Sequence, residues 1–149
     1  MMEHVPRRDY RRFISTIAQL LSDSGIGLIH TIGCNGPRNT HDPFIQTYIF
    51  PGSNQPRLSE ICLHLEAARL SIIDVENLVR HYAHTTRRWL GRFRAKSQQL
   101  DPTKYDARFK RMWEYYLACG IAAASASDGA LYQVLFMKDR AGTIPLQRI

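Results

Sequence analysis

Three side chains of this 149-residue chain, Glu3, His30 and Tyr82, have the chemistry to move a proton or hold an anion. His30 stands late in the strand-like run Gly27-Leu28-Ile29-His30-Thr31-Ile32-Gly33, just before a glycine-containing turn. Ligands of open α/β sheets bind outside the carboxyl ends of strands, which is a natural place for an acid–base histidine. The alternative is a histidine that only satisfies backbone groups at a strand end. Glu3 reads as a solvated carboxylate, and Tyr82 as a core residue with a partnered hydroxyl. His81 and His84 are three apart on a helix, but no carboxylate or cysteine joins them at ligand spacing, so no metal site is expected. Arg87, Arg88, Arg92, Arg94 and Lys96 crowd the same helix, either as a solvated face or as a surface for an anionic partner.

The elements that must position these residues follow from periodicity. Asp9 is placed to cap a first helix with an apolar face of Tyr10, Phe13, Ile14, Ile17 and Leu21, ended by Gly25. Ile26 to Ile32 is β-branched and mostly apolar, as a strand buried on both faces should be. Residues 33–56, rich in Gly, Pro and Asn, read as a long irregular connection. A second helix with Leu58, Ile61, Leu65 and Ala68 on one side leads into a strand over 70–76. A third helix begins near His81 with the inward stripe Tyr82, Thr86, Trp89 and Phe93. Asp101-Pro102 is a helix-start pattern, and the helix after it should bury Tyr105, Phe109, Met112, Tyr116 and Ala123. Asp128-Gly129 turns into a last strand, Leu131 to Met137.

Strands alternating with helices predict an α/β sheet covered by helices, although three strands make a narrow one with an exposed edge. The length suits one domain, placed over 1–139 with a polar tail at 140–149. Hydrophobic content of 44% is that of a globular chain, and no apolar run approaches the ~18 residues of a membrane span. No secretory pattern is present, so a cytoplasmic location is expected. The net charge of +7 favours an anionic partner. Cys34, Cys62 and Cys119 are odd in number and widely spaced, and are expected as reduced thiols.

Taken in order, Glu3-His4-Val5, Leu28 to Gly33, Asp42-Pro43, Tyr48 to Pro51, Asp74-Val75-Glu76-Asn77, His81-Tyr82, Trp89, Arg92-Phe93, Arg108 to Met112, Tyr115-Tyr116-Leu117 and Gln133-Val134 resemble a known family. It is the C-terminal half of the cyclopropane-fatty-acyl-phospholipid synthases and mycolic acid cyclopropane synthases. The resemblance implies the C-terminal part of a class I, Rossmann-like S-adenosylmethionine-dependent methyltransferase sheet, with the last strand antiparallel and inserted between the other two. The Gly-rich cofactor loop, the ribose-binding acidic residue and a family cysteine have no counterpart in these residues.

The activity the resemblance implies is methyl transfer to the double bond of an unsaturated acyl chain, followed by ring closure with a bound bicarbonate as base. Glu3, His30, the backbone at Ile32 and the hydroxyl of Tyr82 would hold that anion. Tyr48 with Arg87, Arg88 and Arg92 would face phospholipid acyl chains and an anionic membrane surface, with the protein peripheral at the inner membrane. The chain alone is then expected to be incomplete and inactive, with a separately encoded N-terminal half as a partner and no nucleic acid. Two alternatives stay open: a non-catalytic basic module on anionic lipid, and an acyl-chain methyltransferase that closes no ring. Pro6, Gly52-Ser53-Asn54-Gln55 and Ala124-Ser125 depart from the family pattern.

Overall fold

The structure, a computed structural model, describes residues 1–36, 41–126 and 128–138. The tail expected over 140–149 lies outside these residues. The chain forms two compact units: Met1–Leu78 together with the chain from Ala130 onward, and Val79–Gly129.

In the first unit, α1 (Tyr10–Leu20) is followed by β1 (Ile26–Cys34), a short α2 (Pro43–Tyr48), α3 (Leu58–Ala67) and β2 (Ser71–Asn77), and β3 (Gly129–Met137) completes it. The sheet order is β1-β3-β2. β3 pairs antiparallel with β2, from Ser71 opposite Met137 to Asn77 opposite Tyr132. The last strand is therefore inserted between the other two, as the resemblance implied. A register shift between Ile72 and Asp74 marks a bulge in β2. The Asn77 side chain accepts from the Leu131 N–H (3.1 Å), and Leu131 in turn accepts from the Leu78 N–H (2.7 Å), so the open end of the ladder is closed.

The core of this unit gathers Tyr10 and Ile14 of α1, Ile61 and Leu65 of α3, Ile29 of β1 and Tyr132, Val134 and Phe136 of β3, with Met2 and Leu70. These are the apolar positions that the helical and strand periods single out. Burying each such side chain contributes roughly 1.5–3 kcal/mol. Asp9 makes no side-chain cap; it ends a 3-10 turn over Arg7–Asp9 that leads straight into α1. α1 stops at Leu20, well before Gly25.

β1 differs from its expected double burial. Its odd-numbered residues Ile29, Thr31 and Gly33 are buried, whereas Ile26, Leu28 and His30 are exposed. The helices of this unit cover one face of the strand, so strand alternation sends every second side chain to solvent. Within the connection read as irregular, Asp42 caps α2: its carboxylate accepts from the Phe44 N–H (2.8 Å), and Pro43 starts the helix.

The second unit is a helical hairpin of α4 (Val79–Lys96) and α5 (Ala107–Ala126). In α4 the buried residues are Ala83, Thr86 and Leu90; Thr86 belongs to the expected stripe, whereas Tyr82 and Phe93 are half-buried and Trp89 is exposed, because Ala83 and Leu90, one position further round the helix, take the buried places. The Thr86 methyl comes within 3.6 Å of where a Cβ on Gly120 would lie. α5 starts at Ala107, not at Asp101. Asp101 instead closes a local turn on Thr103, and Asp106 caps the helix through the Phe109 N–H (2.7 Å). α5 buries Leu117 and Ala124, while Ala123 is exposed and Tyr105 partly so. No described helix is long and apolar enough to cross a membrane.

Candidate functional site

The first unit assembles one polar cluster around Glu3. A 3-10 turn over Met2–His4 anchors there because Met2 is buried in the core. The Glu3 side chain is only 17% exposed, and its Oε2 accepts from the Thr31 hydroxyl at 2.5 Å and from the Met1 ammonium at 2.7 Å. Burial is the largest single influence and raises the Glu3 pKa, but the hydrogen bonds from the Met1 ammonium and Thr31, a backbone hydrogen bond and the ammonium's charge together hold the carboxyl below its ordinary value. Glu3 is thus a placed, ionised carboxylate rather than a solvated one.

Asn54 holds the backbone of the same segment. Its Nδ2 donates to the carbonyls of Val5 (2.8 Å) and Glu3 (3.3 Å), and its own N–H donates to the Glu3 carbonyl (2.9 Å). Its Oδ1 accepts from the Tyr10 hydroxyl. Burial, with the Glu60 carboxylate nearby, pushes the Tyr10 phenol up to about 12, so it stays a donor. The loop presenting Asn54 has its own scaffold. Gln46 of α2 accepts from the Gly52 N–H (3.1 Å) and donates to the Ser53 carbonyl (2.5 Å), while Gly52 takes the left-handed φ of 76° that glycine permits. Residues 52–55 thus form a closed turn that grips the Glu3 segment.

His4 meets Phe50 edge-on at 5.5 Å, which ties the Glu3-His4 and Tyr48-to-Pro51 segments together. His41 lies in the same neighbourhood. Burial lowers its pKa, with the Glu3 charge opposing and His4 reinforcing that shift. Tyr48 is half exposed on α2 and packs on Phe44 at 5.6 Å.

His30 is not brought to Glu3. It follows the opposite parity from Thr31 on β1, is exposed, and its Nδ1 lies 3.0 Å from Gln133 Nε2 on β3. With the amide nitrogen donating, the ring proton sits on the outward Nε2. Ile32 is half-buried in β1, and its carbonyl accepts from Thr31 Oγ1 (3.2 Å). Tyr82 belongs to the second unit, where it meets Trp89 edge-on at 6.0 Å and shares a hydrogen bond with Tyr116. Burial and that neighbour push the Tyr116 phenol up to about 12. Arg87 donates to Ser125 (3.1 Å), whereas Arg88 and Arg92 are exposed.

Thr31, Asn54, His41 and Tyr116 were not named as site residues by sequence reasoning. Thr31 had a signal, since strand alternation places it opposite His30 and on the face of Ile29 and Gly33. Asn54 had none, because its partners lie about fifty residues away.

The residue types suit a small oxyanion such as bicarbonate: a carboxylate to accept its hydroxyl proton, and imidazole and phenol donors for its oxygens. The geometry does not gather them, because Glu3 and His30 occupy opposite faces of β1. Nor do the strand glycines leave room for S-adenosylmethionine. A Cβ on Gly27 would meet the Phe136 ring at 2.4 Å, and one on Gly33 the Pro56 carbonyl at 2.4 Å, so close packing uses both positions.

Comparison with known proteins extends this picture. The sequence profile described as Mycolic acid cyclopropane synthetase matches residues 1–134. The cyclopropane-fatty-acyl-phospholipid synthase of Escherichia coli K12 is 34% identical over 138 residues, which is 93% of this chain and 36% of that protein. The sphingolipid C9-methyltransferase of Komagataella phaffii is 28% identical over 99% of this chain and 32% of its own length. The chain thus spans about a third of these curated relatives. In fold it superposes on the cyclopropane synthase MmaA2 from Mycobacterium tuberculosis with a TM-score of 0.81 at 18% identity, over 91% of this chain and 52% of that one. It also matches mycolic acid cyclopropane synthase CmaA1 complexed with SAH and CTAB, with a TM-score of 0.80 at 23% identity over 91% and 52%. A match running from the Glu3 cluster through both helices of the hairpin to β3 assigns the whole described fold at once: this chain belongs to the mycolic acid cyclopropane synthetase family.

Proposed function

We propose that this chain supplies the acyl-substrate side of an S-adenosylmethionine-dependent methyl transfer to the double bond of an unsaturated phospholipid acyl chain, with closure to a cyclopropane. The observation that carries this reading is the family match across residues 1–134, together with a half-buried, ionised Glu3 at the head of that match. When bound, the cofactor supplies the methyl group. The chain's own residues shape what surrounds it. Thr31 and Asn54 fix the Glu3 carboxylate and backbone, and an anionic carboxylate in a partly desolvated place favours positive charge developing nearby. His30 presents its Nε2 proton outward as a donor. Tyr82, oriented by Tyr116 and Trp89, offers a phenol edge and an aromatic face to a cation.

In this reading bicarbonate is the base, and of the side chains that the resemblance implies for it the ordered Glu3 carboxylate is the one placed to accept its proton, in competition with Thr31. Tyr48 lies against the acyl chain. The 149 residues hold no Gly-rich cofactor loop, so the chain by itself is inactive and works with a cofactor-binding partner segment, at the inner face of a membrane. Methylation without ring closure is the second reading. It is favoured by relatives such as the tuberculostearic acid methyltransferase UfaA1 of Mycobacterium tuberculosis, 32% identical over 145 residues.

The test joins this chain to the upstream part of the Escherichia coli relative and follows label from the methyl donor into unsaturated phospholipid vesicles. We expect turnover by the joined protein, a loss of roughly tenfold or more in Glu3→Gln, and no measurable cofactor binding by the chain alone. A folded joined protein without methyl transfer would sink the catalytic reading, and mass analysis of the product separates ring from branch.

A further inference from the structure

The second unit holds nearly all of the chain's excess charge. Val79–Gly129 contains ten lysines and arginines against four carboxylates, a net +6 of the chain's +7. The hairpin also sorts its cations. Arg94 is paired with Glu114 at 2.6 Å, and Arg87 bonds Ser125 at 3.1 Å, so both are turned along α5. Among the described residues no carboxylate pairs with Arg88, Arg92 or Lys96. These three, with His84, are all exposed and follow one another at intervals of four. That spacing makes a single ridge along α4, roughly 18 Å long at 1.5 Å per residue. Trp89, 38% exposed, flanks the ridge.

We propose that the ridge His84–Arg88–Arg92–Lys96, with Trp89 beside it, is the surface on which this unit lies against an anionic lipid bilayer. The proposal rests on the lipid-substrate reading above and adds to it the contact surface. Three unpaired cations in a row on one helix, Arg88, Arg92 and Lys96, match a flat field of lipid phosphates, and each cation held at such a surface strengthens binding about fivefold. An exposed tryptophan beside cations is the side chain that settles at the headgroup level, apolar in body and polar at one end. Single-stranded nucleic acid would instead call for several stacking aromatics along the groove, and this ridge has one.

The full chain is tested by co-sedimentation with vesicles of phosphatidylcholine alone and of phosphatidylcholine with 30% phosphatidylglycerol, a composition of about the anionic content that gives a useful surface potential. The pair Arg88→Ser and Arg92→Ser is expected to weaken binding to anionic vesicles roughly 30-fold at low salt, about fivefold per cation. The equal-charge pair Arg87→Ser and Arg94→Ser should weaken it less than about threefold, and Arg88→Lys with Arg92→Lys should restore it. Bromolipid quenching should be seen in the parent and lost in Trp89→Phe. Equal loss in the two serine pairs would overturn the ridge while leaving the lipid reading standing. Failure of the parent chain to bind anionic vesicles would overturn both. Tighter binding to a single-stranded oligonucleotide than to vesicles at the same salt would reassign the ridge and overturn the bilayer proposal.

Discussion

Asn54→Ala removes the side chain that stitches the Glu3 segment to the rest of the first unit. Three side-chain hydrogen bonds go with it: to the Val5 carbonyl at 2.8 Å, to the Glu3 carbonyl at 3.3 Å, and from the Tyr10 hydroxyl. The Glu3 carbonyl keeps its bond from the Asn54 N–H, so that loss is small. The Val5 bond contributes about 1 kcal/mol. The Tyr10 hydroxyl belongs to a residue only 1% exposed, and a buried donor that loses its acceptor costs about 1–2 kcal/mol. The expected destabilisation is therefore about 2–3 kcal/mol. Both tryptophans, Trp89 and Trp113, lie in the second unit, so their fluorescence is the wrong probe. Hydrogen exchange at the β3 amides, followed across a urea series, reports on the first unit. A double-mutant cycle with Tyr10→Phe should show a coupling of about 1 kcal/mol. A loss below about 0.5 kcal/mol, or zero coupling to Tyr10, would refute the idea that Asn54 anchors Glu3.

Two further outcomes follow from the same unit. Gly33→Ala places a Cβ 2.4 Å from the Pro56 carbonyl and 2.8 Å from the Tyr132 ring, and backbone cannot yield as a side-chain tip can. We expect about 2–3 kcal/mol of destabilisation and a fall in Tm of about 6–10 °C, and an unchanged melt would show that β1 has room to shift. For pH, His41 and Glu3 both have folded pKa values below their unfolded ones. The unfolded chain therefore binds protons first, and stability present at high pH is lost as pH falls. The loss should begin below 6.5 through His41 and continue below 4.5 through Glu3. His41→Gln should flatten only the upper part of the urea-midpoint curve. An unaltered curve in that variant would remove His41 from the buried cluster.

Some parts of the fold are legible in the residues because they depend on local periodicity. The faces of α1 and α3, with Tyr10, Ile14, Ile61 and Leu65 turned inward, follow from a 3.6 period and a single core. The α4 stripe was right at Thr86, but Ala83 and Leu90 are buried in place of Tyr82 and Trp89, because which row of an all-round mixed helix is buried depends on where its neighbour lies. The start of α5 moved from Asp101 to Asp106 for a related reason. Both aspartates can accept a backbone N–H, and only the folded turn shows that Asp101 spends its carboxylate on Thr103. The site was legible in part. Glu3 could be named but not its environment, since Thr31 and Asn54 reach it across the fold.

The order of short segments from Glu3-His4-Val5 to Gln133-Val134 determines the family and with it the three-strand order, because such a series of side chains is compatible with one backbone path. Composition likewise determines that this is a basic chain, and the run from Arg87 to Lys96 determines that one helix carries much of that charge. The tertiary structure decided which of those cations are spent within the hairpin and which face outward, because ion pairs to Glu114 and bonds to Ser125 join residues far apart in sequence. It decided, too, that Glu3 is ionised and held while His30 faces the other way. Side-chain parity on a strand is local, but which parity meets the carboxylate depends on how a distant turn packs against it.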